Sequence, residues 1–207
     1  MIILRRFLSA LFVLCLALPA MAAQNCPETA LTADFAQRDA LADKAGTGAG
    51  RDSWGPRAPT FPAAAAPAGC EPAAWKRDRS LAVAQHYIGL PYRHHHVPTW
   101  EGPDGKGLDC SNFTAWVYNY GLGVRFTGNV HKQAEGFGAP GRRLGPGEAF
   151  QPGDLLFILK MNRSIVSHVV IFVDENTIID CHGQGVALRP FAGWYRSHLS
   201  HARRIVE

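Results

Sequence analysis

The sequence predicts an α+β fold with an antiparallel sheet, and three observations carry that expectation. Helical apolar spacing is confined to the first two-thirds of the chain, where Phe113, Trp116, Val117 and Tyr120 fall at i, i+3, i+4 and i+7. The last third is a series of short apolar runs at residues 155–159, 168–173 and 178–181, with further ones at 186–189 and 201–206. Turn residues separate them, notably Pro152-Gly-Asp and Asp174-Glu-Asn-Thr177. Helices first and hairpin-connected strands afterwards is the element order of that class.

The elements follow in order. Residues 1–22 open with Arg5 and Arg6, run apolar from Phe7 to Ala17 and end in Ala20-Met21-Ala22. A short basic start, an apolar run too short to span a bilayer and a small-x-small site predict a secretory signal peptide cut after Ala22. Cys26 lacks the small residues expected before a lipid-anchored cysteine, so no stable membrane anchor is expected after cleavage. The formal charge of +4 drops by the two arginines to +2, which with no basic block argues against nucleic acid.

Residues 23–74 read as an Ala/Pro/Gly-rich extension, with one short helix between 27 and 45 around Leu31, Phe35 and Leu41. Residues 46–74 read as a linker or a strap laid over a domain. The compact domain is expected from 75 to 207, and its first helix runs from Asp78 or Ser80 to about Ile88, closed by Gly89-Leu90-Pro91. A span rich in glycine, 121–147, separates the next helix from the strands.

That next helix opens at Asp109-Cys110-Ser111 and stops at Gly121 and Gly123. Cys110 therefore sits at a helix N-terminus, where unpaired N–H groups and the dipole favour a thiolate, the attacking form of cysteine. Alone, such a residue reads more readily as an inert core thiol. Two histidines change the reading. His168 starts one strand and His182 ends the next, and they are symmetric about position 175, inside the intervening turn. A hairpin of that register brings both to one edge, giving Cys110 as nucleophile, His168 as base and His182 as the group that orients the base. Cys26 and Cys70 flank the low-complexity stretch and can staple it, leaving Cys110 free; pairing of Cys110 with Cys181 would silence it.

Four motifs occur in order: Asp109-Cys-Ser-x-Phe113, Pro152-Gly-Asp-Leu-Leu-Phe157, Ser167-His-Val-Val-Ile-Phe172 and Ile179-Asp-Cys-His182. With Gly89-Leu-Pro-Tyr92 before them, residues 80–207 resemble the NlpC-type papain-like cell-wall cysteine peptidases. The resemblance implies a papain-like core with the nucleophile helix packed on the sheet, and hydrolysis of amide bonds in peptidoglycan stem peptides. It places Cys110, His168 and His182 in the catalytic positions and Tyr92 beside the thiolate, with Asp109 and Ser111 shaping the substrate end. Arg93-His94-His95-His96 stands where the family has a Trp/Gly-Gly stretch, and the following loop carries Trp100; His96 and Trp100 are taken as substrate-binding candidates.

No cofactor is implied. Three consecutive histidines cannot all face one ion in regular structure and no partner motif accompanies them, so no metal site is expected. The expected protein is a periplasmic or secreted monomer acting on peptidoglycan or its peptides. Two rivals are an amidase or acyltransferase using the same triad, and a catalytically silent cell-wall binding module.

Overall fold

The computed structural model describes residues 26–49, 59–94, 107–138 and 140–207. The elements run α1 (Thr29–Thr32), α2 (Phe35–Ala49), α3 (Pro72–His86), α4 (Cys110–Leu122), α5 (Val130–Glu135), β1 (Arg142–Arg143), β2 (Leu155–Leu159), β3 (Val166–Asp174), β4 (Thr177–His182), β5 (Gly185–Pro190), α6 (Gly193–Ser197) and β6 (Leu199–Arg204). The strands form one sheet in the order β1-β6-β2-β3-β4-β5, with every neighbouring pair antiparallel. The α+β expectation therefore holds.

Strand alternation divides the core. Leu155, Phe157, Val169, Ile171, Ile179 and Cys181 face the helices, where they pack with Phe113, Trp116, Val117 and Tyr120 of α4. Leu156, Ile158, Val170, Phe172 and Ile178 face the other way, under Phe191, Trp194 and Tyr195. Every residue of α4 is buried, as expected of a helix apolar nearly all round.

The structure differs from the sequence reading at several elements, each for a local reason. The first domain helix starts at Pro72, not near Asp78 or Ser80, because the Glu71 carboxylate caps the amides of Ala73 and Ala74 and Pro72 occupies the first turn. It ends at His86, and Ile88 lies outside it, half exposed. The expected single helix between 27 and 45 is two, α1 and α2. The span 121–147 contains α5, capped by the Asn129 side chain, and β6 begins at Leu199 rather than His201.

Part of the 46–74 stretch is a strap. Phe61 is 2% exposed and packs edge-on against Trp116 and Tyr120, while its amide bonds the Asn119 side chain. Gly123, at φ +72°, allows this crossing, since a Cβ there would stand 2.8 Å from the Phe61 carbonyl oxygen. Two buried arginines fasten α1 and α2 to the C-terminal turn of α4. Arg79 donates to the carbonyls of Gly121 and Leu31 and to Asp34; Arg38 donates to the carbonyls of Tyr120 and Pro62 and to Asp34. Cations at carbonyls of a helix's last turn answer both its unpaired acceptors and its dipole. Cys26 and Cys70 form a disulfide across this segment, and Cys110 and Cys181 are free thiols.

Candidate active site

Cys110 is the first residue of α4. Asp109 caps the helix, its Oδ1 accepting from the Asn112 amide at 2.8 Å and from Ser111 Oγ at 3.1 Å. Ser111 Oγ also donates to the Gly128 carbonyl. The first turn is braced from the other side by Gln133, fully buried on α5, whose Nε2 donates to the carbonyls of Ser111 and Thr127 while its Oε1 accepts from Thr114. The sequence did not place Gln133; the structure sets it against the first turn of the Cys110 helix.

His168 lies on β3, 3% exposed, and its Nε2 meets Asp180 Oδ2 at 2.9 Å. That leaves Nδ1 as the nitrogen available to exchange a proton with Cys110. Burial opposes charging of His168, but the hydrogen bonds it donates to Asp180 and Cys110 outweigh it and push its pKa up to about 9. Asp180 is completely buried on β4; burial works against its charge, yet His168, Arg189 and Tyr195 together hold it below the usual carboxylate value. Trp194 of α6 lies alongside the His168 ring, 5.6 Å between centroids, with its indole N–H on the Leu159 carbonyl.

The hairpin register matches the symmetry seen in the sequence: Ile171 pairs with Ile179 and Phe172 with Ile178, each pair centred on 175. His182 accordingly sits beside His168, ring centroids 5.2 Å apart and nearly perpendicular. The ring nitrogens of His182, expected as the orienting group, have no hydrogen-bond partner among the described residues. The hydrogen bond to His168 Nε2 is made by Asp180, two residues earlier on the same strand. Burial and the charge of His168 both lower the His182 pKa.

A cleft of about 250 Å³ opens beside the thiol, between Tyr92, His94 and Asp109 on one side and Gly128 to His131 on the other, with Lys160, Ile165 and Ser167 at one end. Tyr92 Oη bonds His94 Nδ1 at 3.0 Å, and burial with the neighbouring Cys110 and Asp109 pushes its pKa up to about 12. Tyr92 is fixed by a bridge to Leu108, next to the helix cap. Cys181 faces the core, its Sγ on the Leu108 carbonyl, and burial pushes its pKa up.

A model of the NlpC/P60 family matches residues 95–204. The chain belongs to the NlpC/P60 family. It is 32% identical over 107 residues to the probable endopeptidase p60 of Listeria grayi, a match covering 52% of this chain and 18% of that protein. An NlpC/P60 family protein from Bacillus cereus superposes with a TM-score of 0.52 at 25% identity, over 63% of this chain and 40% of that one. The peptidoglycan hydrolase RipB of Mycobacterium tuberculosis has the same fold over 92% of this chain and 96% of its own, TM-score 0.51 at 20% identity. The chain thus spans less than a fifth of the Listeria grayi relative's length and less than half of the Bacillus cereus one.

Within this NlpC/P60 chain the structure brings Cys110, His168, His182, Tyr92, Asp109 and Ser111 together and adds Asp180, Arg189, Tyr195 and Trp194. His96 and Trp100, and the segment 1–22, lie outside the described residues. Among the described residues no group of three histidine, cysteine or acidic side chains is arranged to hold a metal, and no helix is long and apolar enough to cross a membrane. Asp154, with its buried two-point pairing to Arg204, braces the turn before β2.

Proposed function

We propose that this protein is a cysteine peptidase that hydrolyses amide bonds in peptidoglycan stem peptides outside the cytoplasm, with Cys110 as nucleophile, His168 as acid and base, and Asp180 as the orienting carboxylate. The observation that carries the reading is the buried His168 held between the Cys110 thiol and Asp180. Membership of the NlpC/P60 family and likeness to an endopeptidase p60 support the substrate class. The apolar start of the chain and the Cys26–Cys70 disulfide favour an oxidising compartment.

The chemistry follows from the geometry. The Cys110 sulfur attacks the amide carbonyl, forming a C–S bond and a tetrahedral oxyanion. The backbone N–H of Cys110, in the first turn of α4 where no intrahelical acceptor exists, is in place to bind that oxygen. The His168 imidazolium then gives its proton to the leaving nitrogen as the C–N bond breaks, leaving a thioester. Water, deprotonated by the now neutral His168, attacks the thioester, and breaking the C–S bond releases the acid and restores the thiolate–imidazolium pair. Asp180 keeps the ring in one orientation through the cycle.

The test is mass spectrometry of defined muropeptides incubated with the wild type and with Cys110→Ala. Loss of one stem-peptide amide with the wild type alone supports the reading. Loss of a different bond, or an acyl product joined to an added amine, would favour the amidase or acyltransferase. Intact muropeptides with both proteins contradict catalysis and leave the binding module.

A further inference from the structure

Three side-chain donors converge on the Asp180 carboxylate, and His168 is only one of them. Arg189 Nε donates to Oδ1 at 2.6 Å, and the Tyr195 hydroxyl donates at 2.8 Å to Oδ2, the oxygen that also receives His168 Nε2. The arrangement is built from neighbouring elements. Asp180 pairs with Ala187 across β4 and β5, so Arg189, two residues on, lies diagonally on the same face. Tyr195 arrives from α6, which follows β5 and folds back over that face. The guanidinium is tied down further, its Nη2 donating to the carbonyls of His182 and Gly185 at 3.1 and 3.3 Å. The Tyr195 ring lies 6.0 Å from that of His168.

We infer that Arg189 and Tyr195 are positioning residues for the cysteine–histidine pair, holding Asp180 as an anion in one orientation and drawing off part of its charge so that His168 can both hold and release a proton. The inference rests on reading Cys110, His168 and Asp180 as the catalytic set. A carboxylate with no exposed surface would otherwise lower its cost by taking up a proton. A carboxylate bound by an arginine, a phenol and an imidazole is a weaker acceptor towards each than one bound by the imidazole alone. The groups facing His168 are Cys110 from α4, Asp180 and His182 from β4, Arg189 from β5 and Tyr195 from α6. Removing the Tyr195 hydroxyl or the Arg189 charge returns Asp180 to His168, which then keeps its proton to higher pH.

The deciding experiment follows alkylation of Cys110 by iodoacetamide as a function of pH in the mature protein. In the wild type the thiolate–imidazolium pair gives two inflections, the upper one reporting loss of the His168 proton. Tyr195→Phe keeps the ring and should move the upper inflection upward; Arg189→Met should move it further, by about one pH unit. Arg189→Lys, which keeps the charge, should stay near the wild type. An upper inflection that is unchanged or lowered in Tyr195→Phe overturns the inference, and this holds whether or not Arg189→Met folds. Alkylation needs no peptide, so failure to cleave muropeptides counts against the proposed substrate and not against this network. A wild-type profile with one ordinary thiol titration would overturn the catalytic set itself.

Discussion

Asp180 Oδ2 lies 2.9 Å from His168 Nε2, while His182, two residues further along the same strand, meets that imidazole only ring to ring, 5.2 Å between centroids. One hairpin therefore presents two polar neighbours to the base and uses them differently. The carboxylate hydrogen-bonds the imidazole, while the histidine packs beside Tyr92 and Trp194.

The two roles separate by mutation. Asp180→Asn should lower kcat/KM at least about a hundredfold, because the amide presents the wrong partner to the imidazole. His182→Ala removes ring contacts with His168, Tyr92 and Trp194 but no hydrogen bond to the base, a loss of about tenfold or less. Steady-state kinetics on a muropeptide decide it, and the reverse ranking would return the orienting role to His182.

His168 titrates at about 9 in the folded protein and near 6.5 when unfolded, so its proton is bound more tightly in the native state. Its contribution to stability is fully present below about pH 6.5 and is lost as pH rises towards about 9. Denaturant midpoints measured across that window should fall for the wild type, and His168→Ala should flatten that slope. The same titration places the alkaline limb of kcat/KM near pH 9.

Phe35 and Ala42 of α2 and Phe61 of the strap belong to the buried core cluster. Arg79→Met strands the carbonyls of Leu31 and Gly121 and leaves Asp34 to Arg38 alone, and should cost about 2–3 kcal/mol. Phe61→Ala should cost about 3 kcal/mol through the cavity left against Trp116 and Tyr120. Cys26→Ser opens a bridge spanning 44 residues of sequence, for about 2–4 kcal/mol. Urea unfolding reads all three, and alkylation of Cys110 in the folded variants should be unchanged.

Lys160 lines the cleft at the end of the strand beside His168 and makes no ion pair or side-chain hydrogen bond among the described residues. A peptide substrate whose free carboxylate reaches this end of the cleft would meet this ammonium. Lys160→Glu should raise KM for such a peptide roughly tenfold with kcat little changed. Equal KM values for wild type and variant would remove Lys160 from substrate recognition.

What could be read from the sequence, and what could not, has physical reasons. The Cys110 helix was legible because a 3.6-residue apolar spacing closed by glycines is a local signal, as was the hairpin, whose pairs Ile171–Ile179 and Phe172–Ile178 are centred on 175 before a bulge shifts the register at Asp174. Asp180 carried a signal as well, since period two puts it on the face of His182. Choosing between them needed the direction of the His168 ring and the donors Arg189 and Tyr195 from later elements, which no local pattern encodes. The strap was half legible: Ala/Pro composition suggested an extended path, but its hold depends on Phe61 and on arginines of α2 and α3 reaching long-range carbonyls. Gln133 was hidden in a glycine-rich span whose one short helix is set by the Asn129 cap.

The central claim is that Cys110 is acylated by its substrate. Rapid quenching of wild-type protein with a stem-peptide muropeptide, followed by mass spectrometry of the intact chain and of its Cys110 peptide, tests it most directly. The account predicts an adduct of the mass of the acyl fragment on Cys110, increased in Asp180→Asn if deacylation slows more than acylation and absent in Cys110→Ala. Cleavage of the muropeptide by the Cys110→Ala protein at the wild-type rate would contradict it.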